Sequence, residues 1–148
     1  VDAHGAVLTE ALEARPWLLR LNQYVLEMSI NRSLESIEDV AAAARELQQR
    51  GIANVCISLG GRGAVLVDAE GSYHCSAPRV RVHSTVGCGD SLVAGLVTAA
   101  HRGEDAQAML RLGVTCGSAT ASHPGTELFT RAEIDDSNYE LELTTLDL

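Results

Sequence analysis

Hydrophobic positions recur at two different spacings along the chain, and each spacing predicts one kind of element. Helical spacing of apolar residues predicts helices over residues 5–15, 36–49, 90–102 and 105–122. Short apolar runs bounded by turn residues predict buried strands over 17–21 and 53–59, a hairpin from 63–68 and 72–76, and a short strand over 79–82. In the second helix, Ser36 and Asp39 are spaced like a capping box, and Gly51 follows as a stop signal.

This order of elements predicts the fold class. Helices that alternate with buried strands are typical of an α/β sandwich, in which helices cover a largely parallel sheet. The hairpin adds an antiparallel edge to that sheet. We therefore expect an α/β fold with a mostly parallel sheet and one antiparallel edge hairpin.

Composition and charge narrow the classes of function. With 148 residues, 46% of them hydrophobic and 21% charged, the chain can bury a sizeable core in one domain. Its net charge of −9 disfavours nucleic acid and anionic membranes as partners. No apolar run approaches the roughly 18 residues that span a bilayer, and the first residues have neither a basic region nor an apolar signal core. We expect a cytoplasmic protein.

Four cysteines are spread through the sequence without the spacing of a metal site. Cys56, Cys75, Cys88 and Cys116 form no C-x-x-C pair, and no histidines cluster with them, so zinc is not expected. Cys56 and Cys116 fall in apolar segments and are interpreted as buried. Cys88 stands at the start of a predicted helix, where the pKa of a thiol tends to fall. It is either a redox- or alkylation-sensitive thiol or, the preferred interpretation, a tolerated small residue.

The strongest candidate for chemistry is the stretch STVGCGDS at residues 84–91, which runs directly into an apolar, alanine-rich segment. Gly87 and Gly89 lack Cβ atoms, so the backbone can take left-handed dihedral angles and bring N–H groups close to a ligand. Those groups would lie at the positive end of the next helix, which favours an anion. Asp90 could accept a proton there. Alternatively, the glycines form a plain helix entry and Asp90 is an ordinary N-cap.

Two other phosphate-binding motifs are excluded by the sequence. The chain contains no lysine, so it has neither a Walker A loop nor a Schiff-base lysine. A dinucleotide fingerprint beginning at Gly87 would need its third glycine at Leu92. Neither of these two motifs can therefore hold a phosphate in this chain.

Three stretches together resemble one family. TVGCGDS at 85–91 resembles the D/S-T-V-G-A-G-D-S/A signature of the ribokinase-like carbohydrate kinases of the phosphofructokinase B type. VCISLGGRGA at 55–64 resembles the strand and turn V-x-x-S/T-L-G-x-x-G-A of that family, and residues 117–119 and 125–126 resemble the stretch that lines its adenine pocket. Ser84 and the Gly125-Thr126 pair are most similar to the phosphosugar-kinase branch.

The resemblance implies a three-layer ribokinase-like sandwich and an activity. The activity is in-line transfer of a phosphoryl group from ATP to a hydroxyl of a sugar phosphate, which makes nucleotide and sugar phosphate the partners. Asp90 would be the base, and the amides of Gly87, Cys88 and Gly89 would hold the transferring group. Which phosphosugar is the substrate stays open, because by resemblance most sugar-binding residues belong to the upstream half of the family domain.

The resemblance also implies positions for the nucleotide. His123 departs from the asparagine typical of the family, and a surface-loop histidine is an equal alternative there. A plain strand-to-hairpin turn is the alternative for residues 58–63. The implied contacts of ATP or ADP are Ser58, Gly60, Gly63, Thr85, Ser118 and His123.

The family's N-x-x-E motif for Mg²⁺ is only half kept. Asn22 is present, but Val25 stands where glutamate is expected, and Arg20 and Leu21 replace the usual Lys-Pro. Glu27 comes two residues too late and would point about 200° away on a helix. Mg²⁺ is still expected with ATP, with Asn22 as the candidate ligand.

A second cation follows from the resemblance alone. A monovalent ion such as K⁺ would lie beside the anion turn, at the carbonyls of Ser84 and Val86.

The extent of the resemblance predicts the organisation of the chain. Residues 1–130 match the C-terminal, nucleotide-binding half of the family domain, and residues 131–148 form an acidic tail whose alternating leucines predict a strand. We expect exposed sheet edges that favour a homodimer. Two alternatives to a kinase stay open: a non-catalytic nucleotide-binding or regulatory remnant, and a structural, oligomerising α/β module.

Overall fold

A computed structural model describes residues 1–147 of the chain. A 3₁₀ turn, Gly60–Arg62, precedes the strand hairpin. The helices and strands are, in chain order, α1 (Gly5–Glu13), β1 (Leu18–Asn22), α2 (Gln23–Ile30), α3 (Ile37–Gln49), β2 (Asn54–Ser58), β3 (Ala64–Val67), β4 (Ser72–Cys75), α4 (Cys88–His101), α5 (Ala106–Ala121), α6 (Arg131–Asp135) and β5 (Leu143–Thr145). The chain divides into two compact units: residues 1–59, 64–74 and the segment from Thr144 onward, and residues 60–63 with 75–143.

A five-stranded mixed sheet organises the first unit. Its strand order is β1-β2-β3-β4-β5. β1 and β2 are parallel, with Leu18 opposite Asn54, whereas β2 and β3 are antiparallel, with Val55 opposite Val67. β3 and β4 are neighbours joined by a short turn, which requires the antiparallel hairpin that the sequence predicts. The α/β class and the antiparallel hairpin are confirmed, but the hairpin is not at the edge of the sheet, because β5 lies beyond β4.

The core of the first unit lies between this sheet and α3. β3 is buried along its whole length, and β2 is buried up to Ser58. Helix α3 begins where predicted, because Ser36 Oγ accepts from Asp39 N and the Asp39 carboxylate accepts from Ser36 N. The same helix presents an apolar, alanine-rich face to the core, formed by Val40, Ala41, Ala43, Ala44 and Leu47.

Helix α3 also fixes the hairpin turn. Asp68 Oδ1 accepts from the amides of Glu70 and Gly71, at 2.9 and 2.8 Å. The Arg45 guanidinium donates to the carbonyl of Asp68 and, at 2.9 Å, to Ser72 Oγ. The turn is therefore held by its own aspartate and by one arginine of the neighbouring helix.

The second unit is built on the close pairing of α4 and α5. A Cβ atom added to Gly95 in α4 would lie 2.7 Å from the Cα atom of Gly113 in α5. The two backbones therefore approach at a point where neither helix has a side chain. Asp105 caps α5 by accepting from Ala108 N at 2.8 Å. This pairing fixes the N-terminus of α4, where the glycine turn lies.

One predicted strand is absent, and two helices were not predicted. The strand expected over 79–82 is wrong: no strand forms there, and the next amide, that of His83, donates to the carbonyl of Ala121 at the end of α5 at 2.8 Å. Helices α2 and α6 were not expected. The strand expected in the tail is confirmed as β5 beside β4, although Leu148 lies outside the described residues.

Within residues 1–147, no helix combines the length and apolar character needed to cross a membrane.

Candidate active site

Gly87 is the last residue of the glycine turn before α4. It has left-handed dihedral angles, φ 80° and ψ −5°, and is the N-cap residue of α4. The left-handed conformation favours glycine, and a Cβ atom on Gly87 would lie 2.7 Å from Cδ2 of Leu128, so that the Leu128 side chain would have to move. The turn closes when Cys88 N donates to the carbonyl of Thr85 at 3.3 Å. The prediction of a left-handed glycine is confirmed at this position.

Gly89 is different, and the expected strained conformation is wrong there. It lies in the first turn of α4, and its φ is not in the left-handed region. Gly87 offers no side chain to cap the helix, so the first amides of α4, including those of Gly89 and Asp90, are not taken up by a side-chain cap. The turn thus has the open N–H groups and positive helix end that suit an anion.

Asp90 does not cap α4. The N-cap is Gly87, and Asp90 is the third residue of the helix, with an exposed side chain. The interpretation of Asp90 as an ordinary N-cap is therefore wrong. Its carboxylate is available at the same helix end as the open amides, which is the arrangement that a base or an orienting group for a hydroxyl requires.

The end of α5 supports this turn. Ser91 Oγ and Thr120 Oγ1 form a buried hydrogen bond of 2.8 Å. Phe129 N donates to the same Thr120 oxygen at 3.0 Å. The carbonyl of Ala121 accepts from His83 N at 2.8 Å and from Ser84 N at 3.4 Å. Sequence reasoning missed Thr120, because nothing in the local pattern marks a partner 29 residues away.

Cys88 and the proposed monovalent-cation carbonyls lie in the same turn. Cys88 Sγ is 3.7 Å from the carbonyl oxygen of Ser84, and Ser84 Oγ accepts from Val86 N at 3.2 Å. Cys88 is half-buried. The other three cysteines are buried, and burial raises the pKa of Cys56 to about 12 and the pKa values of Cys75 and Cys116 to about 11.

His123, expected near adenine, is held by two carboxylates. Its Nε2 atom lies 2.6 Å from Glu133 Oε1, and its Nδ1 atom lies 3.6 Å from Glu127 Oε2. The hydrogen bond to Glu133 raises the pKa of His123 above its ordinary value. Thr130 and Glu133 form the capping box of α6, a T-x-x-E signal that the sequence contains and that could have predicted this helix. Ser118 lies half-buried near the end of α5.

Two further glycines of the predicted nucleotide contacts have backbone conformations that favour glycine. Gly60 and Gly63 both have positive φ, 59° and 91°. A Cβ atom on Gly63 would lie 1.8 Å from the carbonyl oxygen of Cys75, so no other residue fits without moving the backbone. Gly63 N donates to the carbonyl of Gly60 at 3.0 Å. Both glycines belong to the second unit.

Ser58 lies in the first unit, at the end of β2. Its Oγ accepts from Arg20 Nη2 at 2.6 Å, and Arg20 Nη1 donates to Asp2 Oδ2 at 2.7 Å. The Arg20 side chain is 13% exposed, and its buried Nε has no hydrogen-bond partner among the described residues. A nearly buried arginine therefore fixes the Ser58 hydroxyl.

The residues expected to hold Mg²⁺ do not form a metal site. Asn22 Oδ1 caps α2 by accepting from Val25 N at 2.8 Å, and Val25 packs against the hydrophobic core. Glu27 Oε1 accepts from Leu34 N at 2.8 Å and from Gln23 Nε2 at 3.0 Å, which ties α2 to the segment before α3. In residues 1–147, no group of three or more His, Cys, Asp or Glu side chains could hold a metal ion.

Comparison with known proteins decides the family of this chain. The model of the pfkB family carbohydrate kinases matches residues 2–132. The chain belongs to the pfkB family of carbohydrate kinases. The turn at 84–91 and the segment at 55–64 both lie within the matched residues.

Named relatives and solved structures agree with this assignment. The chain is 37% identical over 133 residues to the 1-phosphofructokinase of Escherichia coli K12, covering 90% of this chain and 43% of the relative. It is 40% identical over 104 residues to the 1-phosphofructokinase of Haemophilus influenzae, covering 70% of this chain and 33% of the relative. The chain therefore spans less than half the length of these relatives.

The structural similarity is equally extensive. The phosphofructokinase-2 of E. coli in complex with potassium superposes with a TM-score of 0.85 at 36% identity, over 91% of this chain and 44% of that one. The ribokinase of Thermotoga maritima superposes with a TM-score of 0.69 at 21% identity, over 80% and 41%, which shows the shared fold. The predicted ribokinase-like fold is confirmed.

Proposed function

We propose that this chain carries the nucleotide site, the anion turn and the catalytic base of a kinase that transfers a phosphoryl group from ATP to a hydroxyl of a sugar phosphate. Residues 1–130 would be the C-terminal nucleotide-binding half of the kinase domain, and residues 131–148 an acidic tail. The observation that carries this proposal is the left-handed Gly87 at the N-terminus of α4, with the exposed Asp90 on the third residue of the same helix.

The turn supports phosphoryl transfer through its backbone. The amides of Gly87 and Gly89, and that of Cys88 once it leaves the carbonyl of Thr85, would hold the transferring group at the positive end of α4, where charge develops on the equatorial oxygens. Asp90 would orient the attacking hydroxyl and accept its proton late in the reaction. Because the transition state is loose, a carboxylate of ordinary basicity is sufficient for that role.

The nucleotide contacts rest on the family motifs and on two local observations. Gly63 approaches the backbone of Cys75 so closely that a side chain is excluded, which keeps the turn that begins at Gly60 tight. Ser58 presents a hydroxyl that is already oriented by Arg20. The proposed contacts of ATP or ADP are Ser58, Gly60, Gly63, Thr85, Ser118 and His123.

Two cations accompany this proposal with different support. Asn22, Val25 and Glu27 do not fit a Mg²⁺ site, so any Mg²⁺ would be bound by the nucleotide phosphates and water. K⁺ at the carbonyls of Ser84 and Val86 is supported by the potassium complex of the E. coli phosphofructokinase-2.

The proposed acceptor is a phosphorylated sugar, which the relatives named 1-phosphofructokinase favour. A cytoplasmic location is part of the same proposal. So is a homodimer that pairs through the edge strand β5, whose Thr144 and Thr145 are exposed.

A second function is favoured by Val25. This apolar residue stands at the expected glutamate and packs against the core, so the chain would bind nucleotide without efficient metal-assisted turnover. That outcome corresponds to a nucleotide-binding or regulatory remnant.

The experiment compares the 148-residue chain with a chimera that joins it to the first half of the E. coli 1-phosphofructokinase. The chain alone should bind ADP but not phosphorylate a sugar, since the groups that hold the hydroxyl are supplied by the other half. The folded chimera should convert fructose 1-phosphate, fructose 6-phosphate or tagatose 6-phosphate with ATP. Binding without turnover by the chimera would favour the remnant, and the absence of both would favour a structural module.

A further inference from the structure

Thr120, near the end of α5, contacts three different parts of the second unit. The residue is fully buried. Its hydroxyl bonds Ser91 Oγ at 2.8 Å and accepts from Phe129 N at 3.0 Å. Its Cγ2 methyl would be 3.8 Å from a Cβ atom on Gly87. One small side chain thus faces the left-handed glycine, the first turn of α4 and the segment that follows α5.

The bond to Ser91 fixes the rotation of α4 about its own axis. Ser91 is 3% exposed and points inward, whereas Asp90, the preceding residue, is exposed. Successive residues of a helix project about 100° apart, so pinning Ser91 inward sets the direction in which Asp90 leaves the helix. Loss of the hydrogen bond would leave Ser91 with a buried hydroxyl and no partner, which favours a different rotation.

The bond to Phe129 fixes the segment that packs on Gly87. Leu128 Cδ2 lies 2.7 Å from the position that a Cβ atom of Gly87 would take, and Phe129 is the next residue. The amide of Phe129 has its hydrogen bond to Thr120, so that bond holds Leu128 against the turn. The Thr120 hydroxyl therefore holds the first turn of α4 through Ser91 and the segment that contacts Gly87 through Phe129.

We propose that Thr120 is a positioning residue for phosphoryl transfer: its hydroxyl holds the anion turn and the direction of Asp90 without touching the substrate. This inference rests on the proposed function of the turn. The hydroxyl and the methyl have separable roles. Thr120→Val keeps the shape and removes the hydrogen bonds, whereas Thr120→Ser keeps the hydroxyl and removes the methyl.

Thr115 provides a matched control in the same helix. Its buried hydroxyl donates to the carbonyl of Arg111, one turn earlier in α5, at 2.8 Å. Thr115→Val therefore removes a buried threonine hydroxyl whose bond is local to α5. An effect that is equal in Thr115→Val and Thr120→Val would come from the loss of a buried hydroxyl in α5 and not from a change in the glycine turn.

The first test is native-state hydrogen exchange on the purified chain without ligand. Thr120→Val should raise the exchange rate about ten-fold or more at the amides of Ser91 and Phe129. The Phe129 amide loses its acceptor, and the side chain of Ser91 loses its hydrogen-bond partner. Thr120→Ser should restore protection, and Thr115→Val should leave these two amides unchanged. Unchanged exchange at Ser91 and Phe129 in Thr120→Val would overturn the inference, whatever the chain binds.

The second test is calorimetric titration with ADP. Thr120→Val should bind ADP about ten-fold more weakly than the wild type, with Thr120→Ser close to the wild type and Thr115→Val unaffected. Equal losses in Thr115→Val and Thr120→Val would overturn the positioning role. A wild-type chain that does not bind ADP, although its exchange responds as expected, would instead overturn the proposed function.

Discussion

The guanidinium of Arg20 in β1 donates to the hydroxyl of Ser58 in β2 across 2.6 Å, and the two residues are 38 positions apart in sequence. The carboxylate of Asp2 forms an ion pair with the same guanidinium at 2.7 Å. This cluster holds the Ser58 hydroxyl in one orientation at the end of a strand. If Ser58 contacts the nucleotide, Arg20 sets the geometry of that contact.

Ser58→Ala should weaken ADP binding by about ten-fold, the loss expected for a hydrogen bond to a charged group. Arg20→Met should weaken it less, and should add nothing in the Ser58→Ala background, because it acts through the same hydroxyl. Calorimetry of the single and double variants measures this coupling. The matched control is Arg45→Met, which removes an arginine bond to Ser72 Oγ in the same sheet. Additive effects of Arg20→Met and Ser58→Ala would contradict this relationship.

Asp90→Asn should separate binding from chemistry. In a complete kinase that contains this half, the variant should lower kcat by about 10²-fold or more while nucleotide affinity stays within a few-fold, because base and orienting group are lost together. Steady-state kinetics give both values. Asp105→Asn is the control, since Asp105 caps α5 and asparagine caps a helix about as well. An unchanged kcat for Asp90→Asn would remove Asp90 from the reaction.

Local signals in the sequence predicted the local features of this fold well. The capping box of Ser36 and Asp39, the stop at Gly51 and the left-handed turn at Gly87 are all encoded within a few residues. The predicted strand at 79–82 is wrong because a short local pattern does not supply a partner strand. The backbone at His83 bonds to the end of α5 instead.

Contacts between distant residues could not be predicted from the sequence. The Ser91–Thr120 and Arg20–Ser58 hydrogen bonds join residues that only the folded chain brings together. The strained conformation expected at Gly89 was also wrong, because Gly89 lies inside the first turn of α4. One left-handed residue is enough to start α4, and Gly87 already provides it.

His123 should make stability depend on pH. Its folded pKa is raised by the hydrogen bond to Glu133, so the stabilisation is fully present below the unfolded value near 6.5 and is lost as pH rises through the folded pKa. The melting temperature should therefore fall as the pH rises above about 6.5, as the imidazole loses its proton. His123→Gln should reduce this dependence, whereas His4→Gln, at an exposed position, should retain it. A slope that survives His123→Gln would contradict the account.

Cys88 should be the thiol that reacts first in the native protein. Burial raises the pKa of Cys56, Cys75 and Cys116, whereas Cys88 is half-buried at a helix N-terminus, where thiolates are favoured. Alkylation with iodoacetamide followed by peptide mass spectrometry should modify Cys88 before the others. ADP should slow the reaction, and Cys88→Ala should remove the fast phase. Fast labelling of a buried cysteine, or labelling of Cys88 at an unchanged rate with ADP present, would count against the site.

The turn at Gly87 is proposed to bind phosphate through its backbone, and a matched pair of glycine variants tests this binding most directly. Gly87 and Gly103 flank α4 with similar left-handed φ values of 80° and 75°, but a Cβ on Gly87 meets Leu128 while a Cβ on Gly103 meets nothing within 4 Å. Each alanine variant carries about the same backbone strain, roughly 1–2 kcal/mol. Calorimetric titration with ADP should show binding by the wild type and Gly103→Ala, and a loss of at least about ten-fold in Gly87→Ala. ADP affinity in Gly87→Ala equal to that of the wild type would contradict the claim.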